Sequence, residues 1–384
     1  FDRVAHDILD QRLIGIITLL IIIIAVAIGL YVGNSTVRLW TDKYILKKDI
    51  GEEDLPTIEI EEKDNIQAYA YSNYLATVGN NTLTIYNSSA KVVTSINVSI
   101  TKPQFESAGR YLLVADQGGE NLYLIYNDSL QWQKQMEGNI SHICVNDSGA
   151  VGVIITGTTY KSVIIMYDIT GKEEFKTYLS TTIATDVAIS NDSKYLSFVE
   201  IKTSGTVIES KVKTISVEKA KTTPRESIIY TYTTNSNSLI LKIKYKKQKV
   251  VTYCDDGIHI FENGNDEKIL TIDNKISFAD ITLDGYICSI AESEGNSILN
   301  SEYELKIQNV ENKKESTYII GSTVKNLYCN NGIIAVSLGN EVEFVNTNGW
   351  LAKKFTSIQN IKDITIGEKV AGIIYKNRIE VLTL

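Results

Sequence analysis

Only three histidines occur in the 384 residues, His6, His142 and His259, and they limit the proton-transfer chemistry available near neutral pH. A zinc centre needs three or four imidazole, thiolate or carboxylate groups brought together. None of the three histidines has a second ligand at the spacings of known zinc motifs. His142 lies in ISHICVN and His259 in GIHIFE, both strand-like, while His6 precedes a long apolar run. Each therefore reads as a structural or surface histidine. Cys144, Cys254, Cys288 and Cys329 are equally dispersed, each in or beside an apolar run, and read as buried free thiols rather than a disulfide framework. Carboxylates supply the remaining candidates. Asp186, Asp280 and Asp363 recur at the starts of strand-like segments, as do Asn65, Gln104, His142 and Asn326. Three carboxylates converging on one axis could hold a cation; a polar, wet lining of that axis is the plainer reading. DQGGE, Asp116–Glu120, lacks the alternating oxygen ligands of a calcium loop and reads as a hairpin turn. The sequence has no GxSxG and no phosphate-cradling glycine loop ahead of a helix. The expectation is a non-enzymatic protein with no cofactor and no dedicated metal site.

The element that would position these groups is a repeat of about forty residues. Its clearest copy runs from Ile100 to Gly138, with short apolar or alternating runs separated by SAG, DQGG, ND and EG. Second strands start near Tyr74, Tyr111, Ala150, Tyr195, Val250, Tyr286, Ile333 and Val370. The mean step is about 42 residues, the length of four strands and their turns in one propeller blade. Asn, Asp and Gly precede most of these points, as in NDSG before Ala150 and NDSK before Tyr195, where they supply side-chain bonds or positive φ to tight turns. These units predict an all-β, eight-bladed β-propeller over residues 57–384. A seven-bladed ring is the alternative if Ser204–Lys249 forms one irregular blade. The eighth unit stops after its third strand, and TIEIEE, Thr57–Glu62, is spare, so 57–62 is expected to close the last blade and leave no open edge. KTSGTVIES, KAKTTPRES and SEGNSILNSEY stretch the fourth and sixth units and could mark a working face. Tyr71, Tyr74, Tyr111, Tyr195 and Tyr286 recur at strand starts, a pattern that points to packing between blades.

Residues 1–12 are polar and read as a short cytoplasmic segment. Residues 13–33, LIGIITLLIIIIAVAIGLYVG, carry no charge; about twenty helical residues span about 30 Å, so this is an expected transmembrane helix in contact with membrane lipid. Residues 34–56 form a juxtamembrane segment and linker, in which Trp40 and Tyr44 would sit at headgroup depth. Arg3 and Arg12 on one flank face Arg38, Lys43, Lys47 and Lys48 on the other, a count that favours a cytoplasmic propeller. A single uncleaved anchor ahead of a large soluble domain favours the extracytoplasmic side, and that is the expected location.

Twenty-two tyrosines against 8 phenylalanines and only 3 prolines suit strands rather than helices. A net charge of −8, with no basic groove interleaved with aromatics, argues against a nucleic-acid partner.

The 13–33 anchor, NDSGAVGVIIT…VIIMYDITGK (Asn146–Lys172) and NDSKYLSFVE (Asn191–Glu200) resemble the WD40-like or quinoprotein-like propeller superfamily. More closely, the chain resembles single-pass, membrane-anchored propeller proteins of uncharacterised function in Firmicutes. The Gly-His and Trp-Asp pairs of true WD40 repeats are not in register here, and the tryptophan-docking motifs of quinoprotein blades are absent. The resemblance implies a rigid platform for protein contacts: a scaffold in the cell envelope with an envelope or membrane protein as partner. The alternatives are a sensor or solute- or cation-binding propeller using its central channel, and a propeller hydrolase or lyase.

Overall fold

Continuous apolar runs such as YLLVAD and SVIIMY can be satisfied in a sheet only if both of its faces are covered. A ring of blades packed face to face achieves this. The computed structural model describes residues 2–33, 37, 41, 45–46, 49–50, 55–61, 65–204, 208–234, 238–262, 264–273, 276–282, 285–292, 303–330 and 332–384. The chain divides into two compact units, residues 1–50 and 51–384.

In the first unit, helix α1 runs Asp2–Gly33. Its Gly15–Gly33 portion has 19 residues and a mean hydropathy of 2.9. At about 1.5 Å per residue it is about 28 Å long, close to the hydrocarbon thickness of a bilayer. Its aliphatic side chains from Ile16 to Val32 are exposed on every side of the helix, as lipid contact requires. The helix is consistent with a single membrane span. Trp40 and Tyr44 lie outside the described residues.

In the second unit, eight four-stranded antiparallel blades follow one another. Blade 1 comprises Gln67–Tyr71, Tyr74–Gly79, Thr82–Asn87 and Val92–Asn97. Blade 2 runs from Pro103 to Gln135, blade 3 from Asn139 to Leu179, blade 4 from Ile183 to Tyr232 and blade 5 from Ile240 to Thr271. Blade 6 runs from Ile276 to Ile320 and blade 7 from Asn326 to Thr356. Blade 8 takes three strands from Asp363–Thr383 and its fourth from Thr57–Glu59, which pairs antiparallel in the register Thr57↔Glu380, Ile58↔Ile379, Glu59↔Arg378. Backbone bonds extend the seam at both ends, from Ile60 N to Asn377 O at 3.0 Å and from Val381 N to Pro56 O at 2.8 Å. Ile58, 5% exposed, packs with Ala70, Leu75, Val370, Ile379 and Val381. Glu62 lies outside the described residues.

The seven-bladed alternative does not hold. Ser204–Lys249 is divided between two blades, giving Ile228–Tyr232 to blade 4 and Ile240–Lys246 to blade 5. Its insertion also holds a short helix, α2, Val217–Thr222, capped by Ser216 Oγ accepting from Lys219 N. No helix was expected within the repeats. Ser216 followed by Val-Glu-Lys is the usual cap signal, here too short for helical periodicity to register. Much of the other insertion, SEGNSILNSEY, lies outside the described residues.

The core sits between blades. One cluster joins blades 2 and 3 around Leu113, Leu124, Ile143 and Val153; another joins blades 3 and 4 around Ile154, Ile164, Leu196 and Phe198. Others link blades 1 and 2, 4 and 5, 5 and 6, and 8 and 1. The recurring tyrosines serve these joints. Tyr71 is fully buried and its hydroxyl donates to Asn127 O of blade 2 at 2.5 Å. Tyr111 lies against Gly149 in the NDSG turn of blade 3, where φ is +79° and a Cβ would stand 2.7 Å from the tyrosine Cζ. Only glycine suits that position.

Turn side chains do similar work. In the DITGK turn of blade 3, Asp168 Oδ1 accepts from Thr170 N at 2.9 Å, Thr170 Oγ1 at 2.7 Å and Lys172 N at 2.9 Å. Burial works against the charge, but these bonds and the Lys172 ammonium outweigh it and hold the carboxyl below its ordinary 3.8. A depressed folded pKa contributes stability that is present above the unfolded value and lost as pH falls through the folded one. Asp168→Ala is therefore expected to cost about 1 kcal/mol at neutral pH and progressively less below pH 4. Urea unfolding at the two pH values reads this, and an equal cost at both would show that the charge contributes nothing.

Candidate functional site

The first strands of most successive blades neighbour one another around the axis. Because alternate strand residues share a face, residues two apart, Gln104 and Glu106, or Lys242 and Lys244, point to the same side. With His142 and Asp186 they line a cavity of about 880 Å³. In blades 3 to 6 the first strand also carries a bulge, between Ile140 and His142, Ala184 and Asp186, Ile240 and Lys242, and Ile276 and Phe278. Such bulges re-aim the side chains that follow them.

Lys244 of blade 5 reaches across to Glu106 of blade 2, Nζ to Oε2 3.2 Å, with 20% and 29% side-chain exposure. Burial disfavours the Lys244 ammonium, but Glu106, Tyr69 and Asp186 outweigh it, and its pKa lies above the ordinary lysine value. Burial and Glu106 push the neighbouring Tyr69 hydroxyl up to about 12. Asp186 is raised by burial, only partly offset by the Ile243 N–H, His142 and Lys244.

The three aspartates singled out from the sequence all lie on first strands, yet each is bonded separately. Asp186 accepts from Val187 N at 2.8 Å and from Ile243 N of blade 5 at 2.7 Å. Asp280 accepts from Ile281 N at 2.8 Å and from Lys242 Nζ of blade 5 at 3.1 Å. Asp363 accepts from Ile364 N at 2.9 Å and from the Tyr328 hydroxyl of blade 7 at 2.8 Å. Asn326 makes the same bond to its own following amide, at 2.9 Å. The geometry is that of braces between blades. Among the described residues these carboxylates are not gathered at a common point. Two buried channel atoms, His142 Nδ1 and Gln104 Oε1, have no hydrogen-bond partner.

A second cluster lies at the hairpin between the second and third strands of blade 5. Strands Lys249–Cys254 and Gly257–Glu262 are joined through Asp255 and Asp256. The tight turn needs Gly257, since a Cβ there would stand 2.0 Å from Leu270 O. Register places Thr252 opposite His259 and His259 opposite Lys268. Cys254 and Asp266, each two residues further along, therefore share their face. One ligand atom each of Cys254, Asp256 and His259 lies within 4.8 Å of the other two. His259 is 1% exposed; its Nε2 is 3.2 Å from Asp256 Oδ1 and its Nδ1 2.8 Å from Asp266 Oδ1. Lys268 pairs with the other Asp256 oxygen, Oδ2. Burial pushes the Cys254 thiol up to about 11.

In the sequence alone His259 reads as isolated. The available signal was Cys254-x-Asp256-x-x-His259 across a two-residue turn, a spacing that becomes a cluster only in hairpin register. All four cysteines are free. Cys329 of blade 7 is raised by its hydrogen bond with Cys288 of blade 6 and then by burial.

These features define the class: an eight-bladed β-propeller preceded in the sequence by one apolar helix. The chain belongs to the family of unknown function DUF5711, which matches residues 50–384. No curated protein matches it. Among solved structures, the C-terminal WD40 domain of Sif2 is similar with a TM-score of 0.55 and 13% identity, over 86% of this chain and 98% of that one. BamB from Moraxella catarrhalis is similar with a TM-score of 0.50 and 12% identity, over 85% and 98%. At these identities the likeness shows the fold alone.

Proposed function

We propose that the protein is a non-enzymatic scaffold, anchored in the cell membrane by residues 13–33, whose propeller holds a protein partner on the extracytoplasmic side of the envelope. The observation that carries this reading is the pairing of the channel's charged groups across blades. Lys244 with Glu106, Lys242 with Asp280, and Asp186 with the Ile243 amide hold the ring rigid. A rigid ring offers its faces and loops as a preorganised contact surface. The bilayer-length apolar helix supports the anchor.

Protease added to intact cells should digest the propeller, and cross-linking in intact membranes should trap a discrete protein. Protection of the propeller until the cells are lysed would overturn the location; a chain that stays uncross-linked and monomeric would overturn the scaffold. The unpartnered His142 Nδ1 and Gln104 Oε1 favour a second reading, in which the channel takes a small polar solute. Solute-dependent stabilisation lost in His142→Phe would support it.

A further inference from the structure

We propose that the blade 5 hairpin is a zinc site with Cys254 Sγ, Asp256 Oδ1 and His259 Nε2 as ligands. The 3.2 Å between His259 Nε2 and Asp256 Oδ1 is close to the edge of a tetrahedron built on metal–ligand distances of about 2.0–2.2 Å. The third donor, Cys254 Sγ, lies within 4.8 Å of both. Two of the three ligands are also oriented from behind. Asp266 holds His259 Nδ1 at 2.8 Å, which fixes the ring with Nε2 facing the other ligands, the carboxylate–histidine–metal arrangement. Lys268 occupies Asp256 Oδ2 and leaves Oδ1 directed inward.

The donor set selects the metal. One thiolate, one imidazole and one carboxylate suit a borderline ion such as Zn²⁺, while calcium and magnesium require more oxygen ligands. On binding, Cys254 releases its Sγ proton to solvent and coordinates as the thiolate, while His259 coordinates through Nε2 with Nδ1 turned to Asp266. Charge then balances: Cys254, Asp256 and Asp266 supply three negative charges, Lys268 one positive and the ion two. Three protein ligands leave a fourth position for water or for a donor from a partner.

The hairpin is built to hold this geometry. Asp255 N donates to Leu239 O at 3.0 Å, Asp255 Oδ1 accepts from Leu239 N at 2.9 Å, and Asp256 O accepts from Ile272 N at 3.1 Å. The turn is thereby tied to chain on both sides before any ion arrives. The site lies outside the channel and is independent of the scaffold reading.

The test uses the full chain in detergent, stripped of metal with a chelator and titrated with Co²⁺ as a spectroscopic stand-in and then with Zn²⁺. One equivalent of Co²⁺ should give the near-ultraviolet thiolate-to-cobalt band with tetrahedral visible bands, and Zn²⁺ should abolish both. Cys254→Ser should lose the thiolate band and His259→Gln should weaken binding at least tenfold, while Cys288→Ser should retain one equivalent. Should Cys254→Ser fail to fold, the wild-type titration and Asp256→Asn decide the matter. No thiolate band in the folded wild type, or an unchanged band in Cys254→Ser, overturns the site.

Discussion

Lys244→Met is expected to destabilise the propeller by about 2–3 kcal/mol. That is less than the 3–5 kcal/mol for breaking a dry buried pair, because the 20% and 29% exposure of Lys244 and Glu106 leaves some hydration. The loss comes less from the ion pair itself than from what remains behind: Glu106 and Asp186, two carboxylates in one cavity without their shared cation. Glu106→Gln should cost less, since Lys244 keeps Asp186 nearby. The double variant Lys244→Met/Glu106→Leu should recover much of the single loss, because only Asp186 is then left without the cation, and the Val187 and Ile243 amides still bond it. The folded pKa of Lys244 lies above its ordinary 10.5, so its contribution is fully present below that value and fades only as pH rises through the folded pKa. Urea unfolding of the three variants at neutral pH measures these differences. Single variants within about 0.5 kcal/mol of wild type would place the pair in the class of weak surface bridges.

A larger loss is expected from Ile58→Asp. Truncating a buried isoleucine costs about 2–5 kcal/mol, and a carboxylate among Ala70, Leu75, Val370, Ile379 and Val381 adds the cost of burying an unpaired charge. The closing strand should detach from Arg378–Thr383, leaving a free edge open to other chains. Loss of cooperative melting and self-association at micromolar concentration are the expected readouts. A monomeric Ile58→Asp protein with wild-type melting would show that the seam does not depend on this strand. Thr57→Ala is the control: that residue is exposed, and its substitution should change little.

The ring was legible because each blade repeats the same local instructions: an apolar second strand, an Asn- or Asp-led turn, and a third strand such as NLYLIY or EVEFVN. Blade number was less legible at Ser204–Lys249, where turn residues recur at Gly205, Pro224 and Asn235–Ser238, so that turns alone do not mark which strands belong to which blade. The site was only partly legible. Asp186, Asp280 and Asp363 could be placed on first strands from their position in the repeat. Their partners could not, because the Ile243 amide and Tyr328 hydroxyl belong to other blades, and only the closed ring brings them near. His259 illustrates the opposite limit. Its neighbours Cys254, Asp256 and Asp266 are close in sequence, but their meeting depends on hairpin register, which residue spacing alone does not specify.

The pairing of Thr57–Glu59 with Arg378–Glu380 also sets the order of assembly. Within the ring, Thr57–Glu59 precedes the first blade and must wait for the third strand of the eighth, with seven blades formed in between, so during synthesis the early segment has no native partner. Long-range pairings of this kind are slow to form. The short Thr57–Glu59 segment, only three residues in ladder register, keeps that waiting edge small. A nascent chain halted before Arg378 would leave blade 8 without its third and fourth strands, and such arrested chains are expected to be the species that the cell's quality-control machinery removes.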